Sequence, residues 1–394
     1  MEVAESTRYE SSVRIVDRIR VCKQRRQTAR CPVAATLSGL LLVAMQTFAV
    51  SGSTPAMQRF VFRRVEMGVE FRIEVYGCDS GAANKAATAA FDRVRELNGI
   101  MSDYDSGSEV RRLCSEDQSG RPVTVSPDLC HVLKESVSLW HDTNGAFDVT
   151  VGPLTKLWRR ARRRQEMPSP ELLRAARGSV GTESIRIDRC RCEITLTRPD
   201  VRIDLGGIAK GYAADEALKV LRDYGFPAAM VDASGDLVVG DPPPGKAGWR
   251  VAIARLPAPL TPSSSEQKRS HEQLDVVLLA NQAIATSGST IQFVEINGRH
   301  FSHIVDPRTG LGLETHSMVT VIAQTGIQAD SLASAVSVLG PMAGSEFVEN
   351  CRPQTVQVRV QSLTPGGVRR QFESSGFKGY LIAEEQVPLP ATSH

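Results

Sequence analysis

A chain of 394 residues with 41% apolar and 23% charged side chains has the composition of a globular protein, which excludes a disordered or collagen-like polypeptide. The formal net charge is +3, but residues 1–32 hold eight Lys/Arg against four Asp/Glu, leaving 39 basic and 40 acidic groups beyond them. A body this close to neutral excludes a generic nucleic-acid binder.

Behind the basic segment, residues 33–50 form an uncharged apolar run, followed by the small residues Ser51-Gly-Ser-Thr-Pro-Ala56. A positive region, an apolar core and small residues at a cleavage point describe an export signal. Read without cleavage, eighteen residues would only just cross a bilayer core of about 30 Å and act as an anchor. The expected organisation is therefore a basic segment plus export signal over 1–56 and one enzymatic domain over 57–394. The segment predicts export, with membrane attachment as the uncleaved variant. Of the cysteines beyond the signal (Cys78, Cys114, Cys130, Cys190, Cys192, Cys351), none has CxxC or zinc-type spacing, and they read as scattered small hydrophobes.

In chain order, residues 60–76 alternate as strands around Met67-Gly68, with Phe60, Phe62, Phe71, Ile73 and Val75 on apolar positions. A helix follows from Ala82 to Ile100, breaking near Gly99, and a second opens at Ser126-Pro127 and ends before Gly145. The run Trp158-Arg-Arg-Ala-Arg-Arg-Arg164 reads as a solvated basic loop. Val201–Leu205 reads as a strand entering a helix from about Ile208 to Tyr224. Strands are expected at Ala228–Val231, Leu237–Val239, Trp249–Ala254, Val276–Ile284 and Val294–Ile296, with 257–274 a surface loop and Asn297-Gly298 a hairpin turn. A strand at Val319–Ala323 and a helix from Gln328 to Val338 follow. The irregular alternation predicts an α+β fold of mixed or antiparallel sheets packed with helices.

Four segments carry chemistry. In Asp204-Leu-Gly-Gly-Ile-Ala-Lys210, a carboxylate precedes two glycines and a helix start whose free N–H groups and dipole attract phosphate, with Lys210 as a point charge. The alternative is a tight turn with a solvated lysine. Asp330 and Ser334 lie at i and i+4, two hard oxygen donors on one helix face that suit Mg²⁺; an ordinary dipole-serving carboxylate is the alternative. In Ser302–Gly310, His303, Asp306 and Arg308 are candidate catalytic groups; the alternative is that Asp306-Pro307 begins a structural turn and Arg308 pairs with a carboxylate. Gly145-Ala-Phe-Asp148 reads either as a floor for a planar ligand or as a helix cap with a core Phe.

Together, Met67-Gly68, Met101–Tyr104, Gly145–Leu154, Ile203–Asp215, Val231-Asp232, Ala285–Gly288, Ser302–Gly310 and Ala329-Asp330 resemble, in order, the FAD:protein FMN transferase (ApbE) family over about residues 60–350. The resemblance implies a T-fold-like α+β architecture and an exported, Mg²⁺-dependent enzyme. That enzyme would cleave FAD and attach FMN through a phosphoester to a Thr or Ser of an acceptor protein, releasing AMP. It implies FAD contacts at Met67, Tyr104, Ala146, Phe147, Asp148, Asp204, Lys210 and Ile304, and a metal site of the Gly207 carbonyl, Asp330 and Ser334. Asp330 and His303 are the two candidate bases, and the implied acceptors are flavin-carrying subunits of membrane redox complexes. Ser334 stands where the family usually has Thr. Val231–Gly235 replaces a more glycine-rich turn, and Ser289-Thr290 replaces a stretch that often holds an aromatic. The competing expectations are a flavin-storing protein and an FAD pyrophosphatase giving FMN and AMP.

Overall fold

The computed structural model describes residues 56–256, 274–288, 293–352, 354–364 and 367–382. The expected export signal, residues 257–273 of the expected loop, and Ser289-Thr290 lie outside them. Strands β1 (Gln58–Glu66) and β2 (Val69–Gly77) are joined by Met67-Gly68, both at positive φ (50° and 77°), the two-residue geometry that matches strand twist. Helix α1 (Ser80–Met101) is capped by Asp79, which accepts from the N–H groups of Gly81 and Ala82. It runs through Gly99 instead of breaking there: a helical glycine costs only about 1 kcal/mol relative to Ala, and the flanking Leu97 and Met101 are buried.

After α2 (Glu109–Leu113) and β3 (Val123–Thr124), α3 (Pro127–Asp142) opens on the expected Ser126 cap, which accepts from Leu129 N–H. The basic run is not a loop but helix α4 (Gly152–Arg164). Leu154, Trp158 and Ala161 recur at helical spacing and are buried, which holds the arginines on a helix. Next come α5 (Pro170–Gly178), β4 (Ile185–Asp188) and β5 (Glu193–Leu196). Val201–Leu205, expected as a strand, is mostly buried but joins no sheet. It is fastened to the approach to α4: Asp204 N–H donates to the Val149 carbonyl (2.8 Å) and Gly152 N–H to the Arg202 carbonyl (3.2 Å).

Helix α6 (Ala209–Asp223) leads to β6 (Ala229–Ala233), β7 (Leu237–Val239) and β8 (Trp249–Ala254). The single strand expected over 276–284 is two, β9 (Leu274–Leu279) and β10 (Gln282–Gly288), because Asn281 at φ 52° turns the chain. Strands β11 (Phe293–Ile296) and β12 (Arg299–Ser302) meet through Asn297-Gly298, both at positive φ, as the dipeptide predicts. The described chain closes with β13 (Ser317–Ala323), α7 (Gly326–Leu339), α8 (Pro341–Cys351), β14 (Gln357–Leu363) and β15 (Arg369–Glu373).

Eight strands form one antiparallel sheet in the order β1-β2-β6-β7-β10-β13-β14-β15. Both faces are covered, so neighbouring residues enter different cores. Val319 and Val321 pack in the core that holds α1, α6 and α7, while Ile322 packs with Trp249 and Val251 of β8 and with Phe377. That is why all seven residues of β13 are buried. The α+β antiparallel expectation holds. Cys114 and Cys130 are buried as small hydrophobes, whereas Cys78, Cys190 and Cys351 are exposed. Among the described residues no helix is long and apolar enough to cross a membrane.

Candidate active site

Helices α6 and α7 cap each other with carboxylates. Asp215 of α6 accepts from the N–H groups of Gly326 (2.6 Å) and Ile327 (2.9 Å) at the start of α7. Asp330 of α7 accepts from Gly211 N–H (3.0 Å) in the first turn of α6. Neither helix has a cap of its own, since Ile208 cannot supply one and Thr325 does not, so each helix dipole meets a carboxylate from its neighbour, buried at Asp330 and half-buried at Asp215. This pairing fixes the wall of a cleft of about 420 Å³.

Lys210 enters the cleft from the first turn of α6. Its ammonium ion-pairs with Asp236, with the nearer oxygen of Asp330 at 3.8 Å. Burial acts to lower the lysine's pKa, but Asp330 and Asp236 outweigh it and leave the pKa raised. Asp236 is itself pushed up, first by burial and then by Asp330, against the pull of Lys210. Ser334 sits one turn beyond Asp330 and presses on Gly207: a Cβ at Gly207 would lie 2.8 Å from the Ser334 hydroxyl oxygen and 3.6 Å from Phe147. Only glycine allows that approach.

Asp204, which also lines the cleft, accepts from Gly206 N–H (2.9 Å), the Thr155 hydroxyl (2.7 Å) and Arg159 (2.9 Å). Arg159 also pairs with Asp103 and lies 4.4 Å above the ring of Tyr104. Asp103 is pushed up by burial and by Asp204, against Arg159. Gly145, at φ 77°, turns the chain out of the α3 end, and Phe147 N–H donates to the Thr143 hydroxyl (3.1 Å). Phe147 both packs in the main core and lines the cleft. His303 is exposed and Ile304 half-buried on the cleft wall. Arg308 forms a two-pronged pair with Asp306 (2.9 Å each), and Gly310 N–H donates to the Asp306 carbonyl (2.8 Å), the expected structural turn.

The cleft thus gathers Ala146, Phe147, Asp148, Asp204, Gly207, Lys210, His303, Ile304, Asp330 and Ser334. Met67 and Tyr104 do not line it. Met67 sits in the β1–β2 turn, partly buried against the main core and two residues from the lining Val69. Tyr104 is 78% exposed and reaches the cleft only through Arg159. Asp148 lines the wall, but its oxygens are committed to the protein. They accept from Thr150 N–H (2.8 Å), the hydroxyls of Thr150 (2.5 Å) and Thr182 (2.8 Å), and Thr182 N–H (3.2 Å). Sequence reading missed Asp236 and Arg159. Asp236 follows Gly235 in a turn between strands, and Arg159 was hidden inside the basic run.

Among the described residues no three His, Cys, Asp or Glu side chains group as a metal cage. The cleft instead offers the Asp330 carboxylate, the Ser334 hydroxyl and the backbone of Gly207, with Asp236 adding a second negative charge against one lysine. A few hard oxygens, completed by water and substrate, suit Mg²⁺, and the absence of a side chain at Gly207 brings its backbone close to the Ser334 hydroxyl.

The ApbE family model matches residues 67–360. The chain is 31% identical over 321 residues to the FAD:protein FMN transferase of Vibrio cholerae, covering 80% of this chain and 90% of that protein. It is 29% identical over 323 residues to that of Haemophilus influenzae, covering 79% and 90%. The solved structure of the flavin transferase ApbE from Vibrio cholerae superposes with a TM-score of 0.70 at 28% identity, over 83% of this chain and all of that one. Matched in sequence and in architecture over nearly the full length of these relatives, the chain belongs to the ApbE family.

Proposed function

We propose that this chain is an exported FAD:protein FMN transferase. It cleaves the diphosphate of FAD with Mg²⁺ and joins FMN by a phosphoester to a Thr or Ser hydroxyl of an acceptor, releasing AMP. The acceptors are flavin-carrying subunits of membrane redox complexes. The relatives' shared name supports the activity. The observation that carries the chemistry is the convergence of Asp330, Ser334 and Gly207 beside the ammonium of Lys210.

Phosphoryl transfer asks the protein for charge neutralisation and alignment more than for covalent chemistry. Asp330, Ser334 and the Gly207 carbonyl would hold Mg²⁺, which when bound would supply Lewis-acid charge neutralisation. Lys210 and the first turn of α6 add fixed positive potential on the same side. Phe147 and Ala146 give an apolar floor for the flavin ring. Asp204, held by Arg159, Thr155 and Gly206, is a rigid acceptor for N–H or O–H groups of the nucleotide. The acceptor hydroxyl must lose a proton. Asp330, already engaged by Gly211 N–H and facing an ammonium, is a poor base, whereas His303 is exposed at the wall. His303 takes the proton.

The deciding experiment incubates the protein with FAD, Mg²⁺ and a candidate acceptor carrying a Thr or Ser target, then reads covalent flavin fluorescence on a denaturing gel. Asp330→Ala is expected to lose transfer by about 100-fold or more while retaining FAD binding. FMN released only into solution would replace the transferase with a pyrophosphatase. FAD bound without any turnover would replace it with a storage protein.

A further inference from the structure

Three charges share the inner end of the cleft. Asp236 and Asp330 flank Lys210 unequally: the ammonium is in contact with Asp236 and stands 3.8 Å from Asp330, beyond hydrogen-bonding distance. Asp236 is 6% exposed and Asp330 5%, so each acts in a poorly screened environment where small displacements matter.

The position of Asp236 is built into the backbone. The turn between β6 and β7 places Ser234 at φ 59° and Gly235 at φ 104°. A serine in the left-handed region is uncommon and persists where its surroundings over-determine it. Here Gly235 N–H donates to the Asp232 carboxylate (3.0 Å), and Ala233 N–H donates to the Asp236 carbonyl (2.9 Å). The turn aims a carboxylate at a lysine on a different element.

We propose that Asp236 is a positioning residue: by holding the Lys210 ammonium, it keeps that cation off Asp330 and leaves the Asp330 carboxylate open to a divalent metal ion. This rests on the reading of Asp330 as a metal ligand. Without Asp236, the nearest counter-charge for a buried ammonium is Asp330. A lysine 3.8 Å away closes that distance by a change of side-chain rotamer. The ammonium then competes with the metal for the same oxygens. The lysine keeps its use at the substrate phosphates only while a second carboxylate holds it aside.

The test is a double-mutant cycle on the whole protein, with Mn²⁺ binding followed by electron paramagnetic resonance and Mg²⁺ measured by competition. Asp236→Asn is expected to weaken Mn²⁺ binding about tenfold. Adding Lys210→Met to that variant is expected to restore affinity to within about threefold of the unmutated protein. The rescue by Lys210→Met must be larger in the Asp236→Asn background than alone. Equal factors in both backgrounds would mean that Asp236 acts only through its charge, and would overturn the proposal. A crystal structure of the metal-free Asp236→Asn variant supplies an independent arm. Lys210 Nζ within hydrogen-bonding distance of Asp330 supports the proposal, and Lys210 unmoved overturns it. If the unmutated protein binds no Mn²⁺, the metal reading itself fails, while the crystal arm still reports on the lysine.

Discussion

Gly211 of α6 and Gly326 of α7 meet backbone against backbone. A Cβ on Gly211 would lie 2.1 Å from the Gly326 carbonyl oxygen, and one on Gly326 would lie 2.3 Å from that of Gly211. The two helices come this close because neither residue has a side chain, and the closeness lets Asp330 reach the N–H of Gly211. Gly211→Ala must push the helices apart against a packed core. It is expected to cost about 3 kcal/mol in urea unfolding and to weaken Mn²⁺ binding, because Asp330 moves with α7. An alanine variant of unchanged stability and affinity would show that the crossing is looser than described.

Asp215 reports on the same crossing through pH. Its carboxyl is pushed up to about 6, chiefly by burial, against the lowering effect of the N–H groups of Ile327 and Gly326. An unfolded Asp titrates near 3.9. The folded protein therefore holds this proton more tightly, so the contribution is fully present below about pH 4 and is lost as pH rises through about 6. Two pH units correspond to roughly 3 kcal/mol. Asp215→Asn removes the titration and retains an oxygen acceptor. The difference in Tm between the unmutated protein and this variant is expected to move against the unmutated protein from pH 4 to 6.5. A difference flat across that range would show that Asp215 is not raised.

The fold was legible wherever local chemistry decides structure. Ser126-Pro127 opened its helix and Asn297-Gly298 turned its hairpin, because caps and positive-φ turns are chosen by a few neighbouring residues. Reading failed where tertiary contact decides. Gly99 stayed helical because the residues around it are buried, and the arginines of 159–164 became helical because Trp158 and Ala161 face inward. Val201–Leu205 has strand alternation, yet its partners are the residues before α4 and not a sheet. The cleft divides in the same way. Asp330 and Ser334 could be paired by helical spacing, but the contact of Asp236 with Lys210 spans 26 positions and two elements. Nothing periodic announces it.

Arg159 is expected to matter more than the basic run around it. It joins Asp103 and Asp204 and stacks on Tyr104, so its loss leaves two carboxylates facing each other without their shared cation. Arg159→Ala is expected to raise the FAD dissociation constant about tenfold or more. Arg163→Ala, on the exposed side of the same helix, should stay within twofold. Arg159→Lys should recover little, since a point charge cannot serve two carboxylates and a ring as a planar guanidinium does. Equal FAD affinities for the two alanine variants would reduce Arg159 to part of a general cationic surface.

Gly207 separates a metal site from a merely polar cleft. Its missing side chain lets Ser334 pack close, since an added methyl would stand 2.8 Å from the hydroxyl oxygen and 3.3 Å from the Ser334 Cβ. Gly207→Ala should therefore injure cation binding more than folding, since the methyl displaces one serine hydroxyl at the cleft wall and no core side chain. An increase of at least tenfold in the Mn²⁺ dissociation constant is expected, with Tm lowered by only a few degrees. Gly207→Ala combined with Ser334→Ala should pack without the clash and recover Tm, but not Mn²⁺ affinity, because the hydroxyl donor is gone. If the double variant regains Mn²⁺ binding as well, Ser334 is a packing residue and the oxygen set must be drawn from Asp330 and the backbone carbonyl at position 207, without the serine hydroxyl.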